Sequence, residues 1–440
     1  MKLGVIADDN TGATDAAGML TERGVRTLLV LDVNAAISPA ELDGFEALVV
    51  GTQNRSIAPA AAAEATRGAV KRLREWGVDR FQIKYCSTFD STRAGNIGPT
   101  LDAALDALAA PATIVCPALP INGRTVYQGH LFVGSQLLSE SPLRNHPLNP
   151  MTDANLVRWL GYQTARKVGL VELPIVRRGI EATRQRLDAC RAEGCSYLVT
   201  DVVSNEDLLT LAAATRDWPL TSGGSGITAA MAAVHFPGRE TLRFEEQLSH
   251  ADPTTLVVSG SQSPATRRQM EHALAHGWMA IRLDVPAVLQ GHFDLGAAAS
   301  QAERELSAGR PVLIGSSSEG DTVVADVLAL GRTLGFTDVQ TGTRIAETLA
   351  ELALRLVSAG HVDRLVVSGG ETSGAVCKRL GIRAIEVGLP LAPGVPYGFT
   401  WPDRKLLLVL KSGNFAGDDL YQRVRGLLRI HHVTRSLSLF

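Results

Sequence analysis

No run of ~18 consecutive apolar residues occurs in the chain, which excludes a membrane-spanning helix from its reading. Charge of one sign is not in excess either: 43 Lys and Arg against 45 Asp and Glu leave a formal net charge of -2. Such a chain has no global field to gather nucleic acid or an acidic membrane, so the expected partner is a small molecule. The five cysteines, Cys86, Cys116, Cys190, Cys195 and Cys377, are odd in number and contain no C-x-x-C pair. They supply neither a disulfide framework nor a zinc cage. His272 and His276 stand i, i+4 on an expected helix but lack an acidic ligand at a fitting position, which disfavours a metal there. A P-loop is missing too. The nearest approach, 315–322, puts Asp321 where the lysine should meet the phosphates. No signal-peptide pattern opens the chain, because Asp8 and Asp9 interrupt any apolar segment, and a cytoplasmic location is the default expectation. The sequence does not set the oligomeric state; a homo-oligomer is compatible with it.

At 440 residues the chain exceeds the roughly 250–300 residues of one ordinary core, so two domains are expected, 1–240 and 253–440, joined by a charged link over 239–249. Its 45% hydrophobic and 20% charged residues suit a soluble globular protein with an ample core. Apolar runs alternate with Ala/Leu/Arg-rich stretches, the pattern of α/β domains with mostly parallel sheets flanked by helices. In the first half, strands are expected at 3–7, 27–31, 47–51, 80–84, 113–116 and 197–200, and helices at 58–76, 97–109 and 180–193. Residues 124–150 break the rhythm, with a short hairpin expected around Gly129; a loop that long usually carries function. In the second half, Leu256-Val257-Val258-Ser259-Gly260-Ser261 echoes Leu365-Val366-Val367-Ser368-Gly369-Gly370, and Val312-Leu313-Ile314-Gly315-Ser316 is a third such strand end. Ligands of open α/β sheets bind at the carboxyl ends of the strands, so these three ends are expected side by side at one crevice.

The chemistry-bearing residues fall into two sets. After the first strand the chain reads IADDNTGATD, three carboxylates within ten residues. Capping of the next helix by Asp9 or Thr11 accounts for one of them. Asn54-Arg55-Ser56, Lys84-Tyr85-Cys86-Ser87-Thr88 and Asp90 follow two other strands and are expected on the same edge. Carboxylates suit sugar hydroxyls, one of them can take a proton, and Arg55 and Lys84 suit a carboxylate or phosphate of the same small molecule. In the second half, Ser368 to Val376 (SGGETSGAV) presents loop amides, the hydroxyls of Thr372 and Ser373 and a helix start, which suits phosphate. KSGNFAGDD adds Lys411, Gly413 and Asn414 as donors, with Asp418 or Asp419 as metal-facing acids. A rival nucleotide motif, Gly224-Ser225-Gly226, imitates a dinucleotide fingerprint, but the stretch before it reads as too short for a strand. It leaves an NAD-dependent sugar acid dehydrogenase as an alternative, and a non-catalytic sugar-acid sensor as another.

With Ala7-Asp8-Asp9-Asn10-Thr11-Gly12-Ala13-Thr14-Asp15 near the start and Gly369-Gly370-Glu371-Thr372-Ser373 near the end, the chain resembles the four-carbon acid sugar kinases over essentially its whole length. The stretches YCSTFDST, NGRTVYQGHLFVG and NHPLNPMTDANLVR resemble the branch acting on 3-oxo-tetronates more than the threonate or erythronate kinases. The resemblance implies a two-domain α/β kinase with its active site in the interdomain cleft. Such a kinase is expected to move the γ-phosphoryl of ATP, with Mg²⁺, to the terminal hydroxyl of the acid, and, because the two half-sites fall on different domains, closure on binding is expected too. It implies that Asp9, Arg55, Lys84, Tyr85, Cys86 and Ser87 hold the acid, and that Ser259, Gly369, Gly370, Glu371, Thr372, Ser373 and Gly413 hold ATP. Asp8 or Asp9 is then the expected base and Lys84 a stabiliser of transferred charge. Asn10 departs from the family pattern, where Phe or Leu is usual, and bears on fine substrate preference.

Overall fold

A strand covered on both faces reads as an unbroken apolar run rather than an alternation, and several such runs set the frame of the computed structural model, which describes residues 1–146, 149–241, 254–315 and 322–427. The chain divides into two compact units, Met1–Leu242 and Arg243–Arg435. In chain order the strands of the first are Leu3–Ala7 (β1), Thr27–Val30 (β2), Ala47–Gly51 (β3), Arg80–Lys84 (β4), Thr113–Cys116 (β5), Arg124–Tyr127 (β6), His130–Val133 (β7), Gln136–Leu137 (β8), Lys167–Val171 (β9), Cys195–Thr200 (β10) and Leu220–Gly223 (β11). Eight of them form a parallel sheet in the order β2-β3-β1-β4-β11-β5-β10-β9. The chain fills the β3 side of β1 before crossing to β4, so β1 sits at a topological switch point, where the loops after β1, β3 and β4 converge.

Helix Asn10–Glu22 follows β1 and buries Ala13, Ala16, Ala17 and Leu20, the i, i+3, i+4, i+7 stripe of a core-facing helix. Asp9 caps it, its side chain accepting the N–H of Gly12. The hairpin expected around Gly129 is present as β6 and β7. Its turn residues Gln128 and Gly129 have φ of 49° and 71°, the left-handed pair that a tight hairpin turn requires. The buried Asp201 carboxylate accepts the N–H groups of both (2.8 Å each) and of Leu173 (3.1 Å), fixing the hairpin to the end of β10.

Two strands of this parallel sheet were not read as strands from the sequence. β9 was not expected: Lys and Gly dilute its apolar character, and it forms only by pairing with β10 at the sheet edge. The stretch before Gly224 is a strand after all, β11, four residues long and placed between β4 and β5, with helix Ser225–His235 behind it. Its Thr and Ser disguise it; both are buried, and Ser222 Oγ donates to the carbonyl oxygen of Ile114 at 2.7 Å.

The second unit contains Thr255–Ser259 (β12), Met279–Arg282 (β13), Val312–Gly315 (β14), Arg364–Ser368 (β15), Ala384–Ala392 (β16), Val395–Trp401 (β17) and Leu407–Lys411 (β18), in the order β13-β14-β12-β15-β18-β17-β16. The first five in that order run parallel, and β17 is antiparallel to both of its neighbours. The three Ser/Gly strand ends do lie together, with Ser259 paired to Gly315 on one side and to Ser368 on the other. Lys411 follows beside Ser368. Val257, Met270, Trp278, Val366, Phe399, Leu407 and Tyr421 form part of the core beneath this edge. The expected restart at Asp252-Pro253, most of the expected link and the 316–321 part of the P-loop near miss lie outside the described residues.

Candidate functional site

The first cluster grows from three neighbouring strand ends. Asp8 and Asp9 leave β1, Arg55 lies in the loop after β3, and Lys84 closes β4. Arg55 grips Asp8 with two bonds, Nε to Oδ2 at 2.8 Å and Nη2 to Oδ1 at 2.9 Å, and reaches Asp9 Oδ2 through Nη1 at 2.9 Å. Guanidinium carries five N–H donors, so this grip leaves two for a ligand. Burial pushes the Asp8 carboxyl above its usual range, while the hydrogen bonds and charge of Arg55 pull the other way. Desolvation works to lower Arg55, but Asp8 and Asp9 outweigh it and hold the guanidinium above its ordinary range. Asp9 is the more accessible of the two carboxylates, with its side chain 30% exposed against 11% for Asp8.

The Lys84 ammonium is buried beside the first turn of helix Asn10–Glu22, 3.8 Å from Asp15 Oδ2. Gly12 makes room for it: a Cβ there would stand 2.7 Å from Asp9 Oδ1 and 2.9 Å from Lys84 Nζ. Gly12→Ala is therefore expected to displace the Asp9 and Lys84 side chains while costing the fold little, since Lys84 Nζ is the far end of a flexible chain and the higher helix propensity of Ala offsets a weakened cap. Turnover should fall by roughly tenfold or more with a melting temperature near wild type. Steady-state kinetics paired with a thermal melt checks this, and unchanged turnover would remove Gly12 from the site.

The remaining members of the expected acid-binding set sit differently. Tyr85 turns its phenol into the core, 3.1 Å from Ser222 Oγ, and burial pushes its ionisation upward. The Cys86 thiol is 2.9 Å from Thr88 Oγ1; burial, with the Asp90 charge adding to it, pushes it up to about 11, so it is a neutral thiol at neutral pH. Ser87 is partly buried in the same loop. Asn10, at the start of helix Asn10–Glu22, lies against the end of β3, its Oδ1 2.5 Å from where a Cβ on Gly51 would stand. Beneath the Asp8–Arg55 pair a cavity of about 10 Å³, room for one water, is lined by Asp8, Asn54, Arg55, Lys84, Tyr85 and Asp90. Asn96 is a residue that sequence reasoning missed. Its Nδ2 donates to the carbonyls of Asn54 (2.6 Å) and Ile57 (2.7 Å) and so holds the Arg55 loop. In the sequence it looks like an ordinary cap before an apolar helix, but its side chain makes no capping bond.

The second cluster lies on the carboxyl edge of the C-terminal unit. A cavity of about 360 Å³ is lined by Gly260, Ser261, Gly369, Gly370, Glu371, Thr372 and Gly413, together with apolar Val285, Val327, Leu328, Ile345 and Ala346. Gly369, with φ of 115°, turns the chain into helix Gly370–Arg379, whose first amides are free of helical partners. Ser259 Oγ is buried with no hydrogen-bond partner among the described residues, an orphan that an external acceptor would satisfy. Ser373 is buried on that helix. Glu371 is exposed, and its Oε1 accepts the Thr343 hydroxyl at 3.2 Å. Burial pushes the Lys411 ammonium down to about 8. Asp418 is taken by Arg268 at 3.0 Å, and among the described residues no three His, Cys, Asp or Glu side chains gather as a metal-ligand set.

The glycines of the rival dinucleotide motif are used for packing. A Cβ on Gly224 would meet the carbonyl of Pro117 at 2.7 Å and one on Gly226 that of Ala118 at 2.5 Å, while Gly223 abuts the Cys116 carbonyl. The close approach that these glycines permit is made by backbone at and just after the end of β5.

No described helix is long and apolar enough to cross a membrane. Residues 3–231 match a sugar-binding N-terminal domain family and residues 256–420 a nucleotide-binding C-terminal domain family. The chain is 42% identical over 424 residues to a 3-oxo-tetronate kinase of Cupriavidus necator, covering 95% of each chain. It is 42% identical over 434 residues to a 3-oxo-tetronate kinase of Methylobacterium radiotolerans, covering 97% of this chain and 99% of that one. A crystal structure of a Haemophilus influenzae protein aligns with a TM-score of 0.83 at 36% identity, over 97% of this chain and all of the other. A sugar-binding and a nucleotide-binding domain in this order, with such identity along almost the whole length, carry the conclusion: the chain belongs to the four-carbon acid sugar kinase family.

Proposed function

We propose that the protein transfers the γ-phosphoryl group of ATP to the terminal hydroxyl of a 3-oxo-tetronate, giving the 4-phosphate, in the cytoplasm. The observation that carries this reading is the meeting of Asp9, Arg55 and Lys84 at the switch point of the N-terminal sheet, in a chain 42% identical to named 3-oxo-tetronate kinases. A carboxylate with two cations beside it matches a ligand that carries both hydroxyls and an acid group. The two free donors of Arg55 and the Lys84 ammonium take the carboxylate, and Asp9 accepts the proton of the attacking hydroxyl. Asp8, gripped by both of its oxygens, orients Arg55.

In the C-terminal unit the Ser259 hydroxyl and the amides from Gly370 to Thr372 receive phosphate oxygens, and the apolar lining of the cavity receives the base. Magnesium binds through one or two carboxylates plus substrate phosphates rather than in an all-protein cage, and Glu371, the acid lining this cavity, fits that demand. The ion supplies charge neutralisation to the phosphates when bound. Transfer then depends on positioning: it requires the acceptor hydroxyl in line with the γ-phosphorus, and Lys84 balances the charge that moves toward the acid.

A coupled ADP-release assay with Mg-ATP and a panel of threonate, erythronate and their 3-oxo forms tests the reading. The expected result is one ADP per 3-oxo acid consumed, with kcat/KM at least about tenfold above the reduced acids. ADP release that does not depend on any acid, or a preference for threonate, would overturn the substrate assignment.

A further inference from the structure

Lys411 ends β18 with 1% of its surface exposed, and no described carboxylate forms an ion pair with it. Its ammonium donates to Thr266 Oγ1 at 2.8 Å and to the carbonyl oxygen of Gly413 at 2.9 Å. The same carbonyl accepts from Ser263 Oγ at 2.5 Å, and Thr266 Oγ1 stands 2.9 Å from it. A single carbonyl oxygen thus sits among two hydroxyls and a cation. The turn is tight around it, since a Cβ on Gly413 would come within 2.8 Å of Ser261 Oγ and 3.0 Å of Ser263 Oγ.

A trans peptide is planar and carries its C=O and N–H on opposite sides. Drawing the Gly413 oxygen into the cluster therefore turns the next N–H, that of Asn414, away from it. That N–H has no acceptor among the described residues, and Gly413 lines the cavity of about 360 Å³. A carbonyl facing a phosphate would repel it, whereas an N–H attracts it. Anchoring the carbonyl from behind selects the favourable face, and a charged donor does this more firmly than a neutral one.

Resting on the nucleotide reading above, we infer that Lys411 is a positioning residue for the nucleotide phosphates: with Ser263 and Thr266 it holds the Gly413 carbonyl inward and presents the Asn414 N–H to a phosphate oxygen. The lysine itself touches no phosphate. Its expected signature is a loss confined to phosphate-bearing ligands.

The test compares MgADP with adenosine, by calorimetric or thermal-shift titration of the full chain, in wild type, Lys411→Met and Thr266→Val. Lys411→Met should weaken MgADP by about 10- to 100-fold and Thr266→Val by about 3- to 10-fold, while adenosine stays within about twofold of wild type. Thr266→Val is nearly isosteric and carries the test if Lys411→Met does not fold. Equal weakening of both ligands would mean a general distortion and overturn the inference, as would MgADP affinity that neither variant changes. Failure of the wild-type protein to bind MgADP would instead overturn the nucleotide reading, and this inference with it.

Discussion

Asp9→Asn is expected to lower kcat for 3-oxo-tetronate by about 10²- to 10⁴-fold, the span that a positioned general base contributes. The substitution suits the question because of what it leaves intact. Asn caps a helix about as well as Asp, so the bond that Asp9 accepts from Gly12 N survives and the first turn of helix Asn10–Glu22 should hold. The ion pair to Arg55 Nη1 weakens, but that guanidinium keeps its two bonds to Asp8. Melting temperature should therefore stay close to wild type while turnover collapses. Single-turnover kinetics with Mg-ATP separates the chemical step from binding. A kcat within threefold of wild type would shift the base to Asp8 or to a group outside this cluster.

Arg55→Met should cost both stability and activity, for separable reasons. The Arg55 and Asp8 side chains are 23% and 11% exposed, so removing the cation strands a nearly buried carboxylate. Breaking such a pair costs about 2–4 kcal/mol after allowance for partial exposure, and the melting temperature of the intact chain should drop. Loss of the donors facing the acid should raise its KM by roughly 10- to 100-fold. Pairing Arg55→Met with Asp8→Asn then distinguishes the two effects. Once the carboxylate is neutral the burial penalty largely disappears, so the double variant should recover most of the stability and none of the acid affinity. Recovery of both would assign Arg55 a purely structural role, and additive destabilisation would show that the two residues do not act as a pair.

Much of the fold is legible along the chain because its signals are local. β1, β3 and β5 are short, mostly apolar runs and β4 alternates polar with apolar residues, all closed by turn residues, and their bounds agree with the sequence reading. Helices Pro59–Glu75, Ile97–Leu108 and Ile180–Ala192 lie within a residue of it, since Ala- and Leu-rich periodicity is measured within a few turns. The paired echo of β12 and β15 likewise points to Ser259 and Ser368 as neighbours, and the two are paired in the sheet. β9 and β11 were harder to read because their burial comes from neighbours distant in sequence, Cys195–Thr200 for one and the β4 and β5 strands for the other.

By itself the sequence determined the α/β class, the division into two halves and the residue types that each half offers a ligand, because strand periodicity, loop chemistry and charge are carried by adjacent residues. Only the tertiary structure decided how those residues are spent. It set both Asp8 oxygens on Arg55, turned Tyr85 toward Ser222, gave Asn96 to the Arg55 loop and buried the Lys411 ammonium against Gly413 and Thr266. These pairings join residues up to 145 positions apart, and hydrogen-bond geometry over a few ångströms chooses among many chemically equivalent partners. A linear chain shows the donors and acceptors; the sheet order brings particular ones within reach.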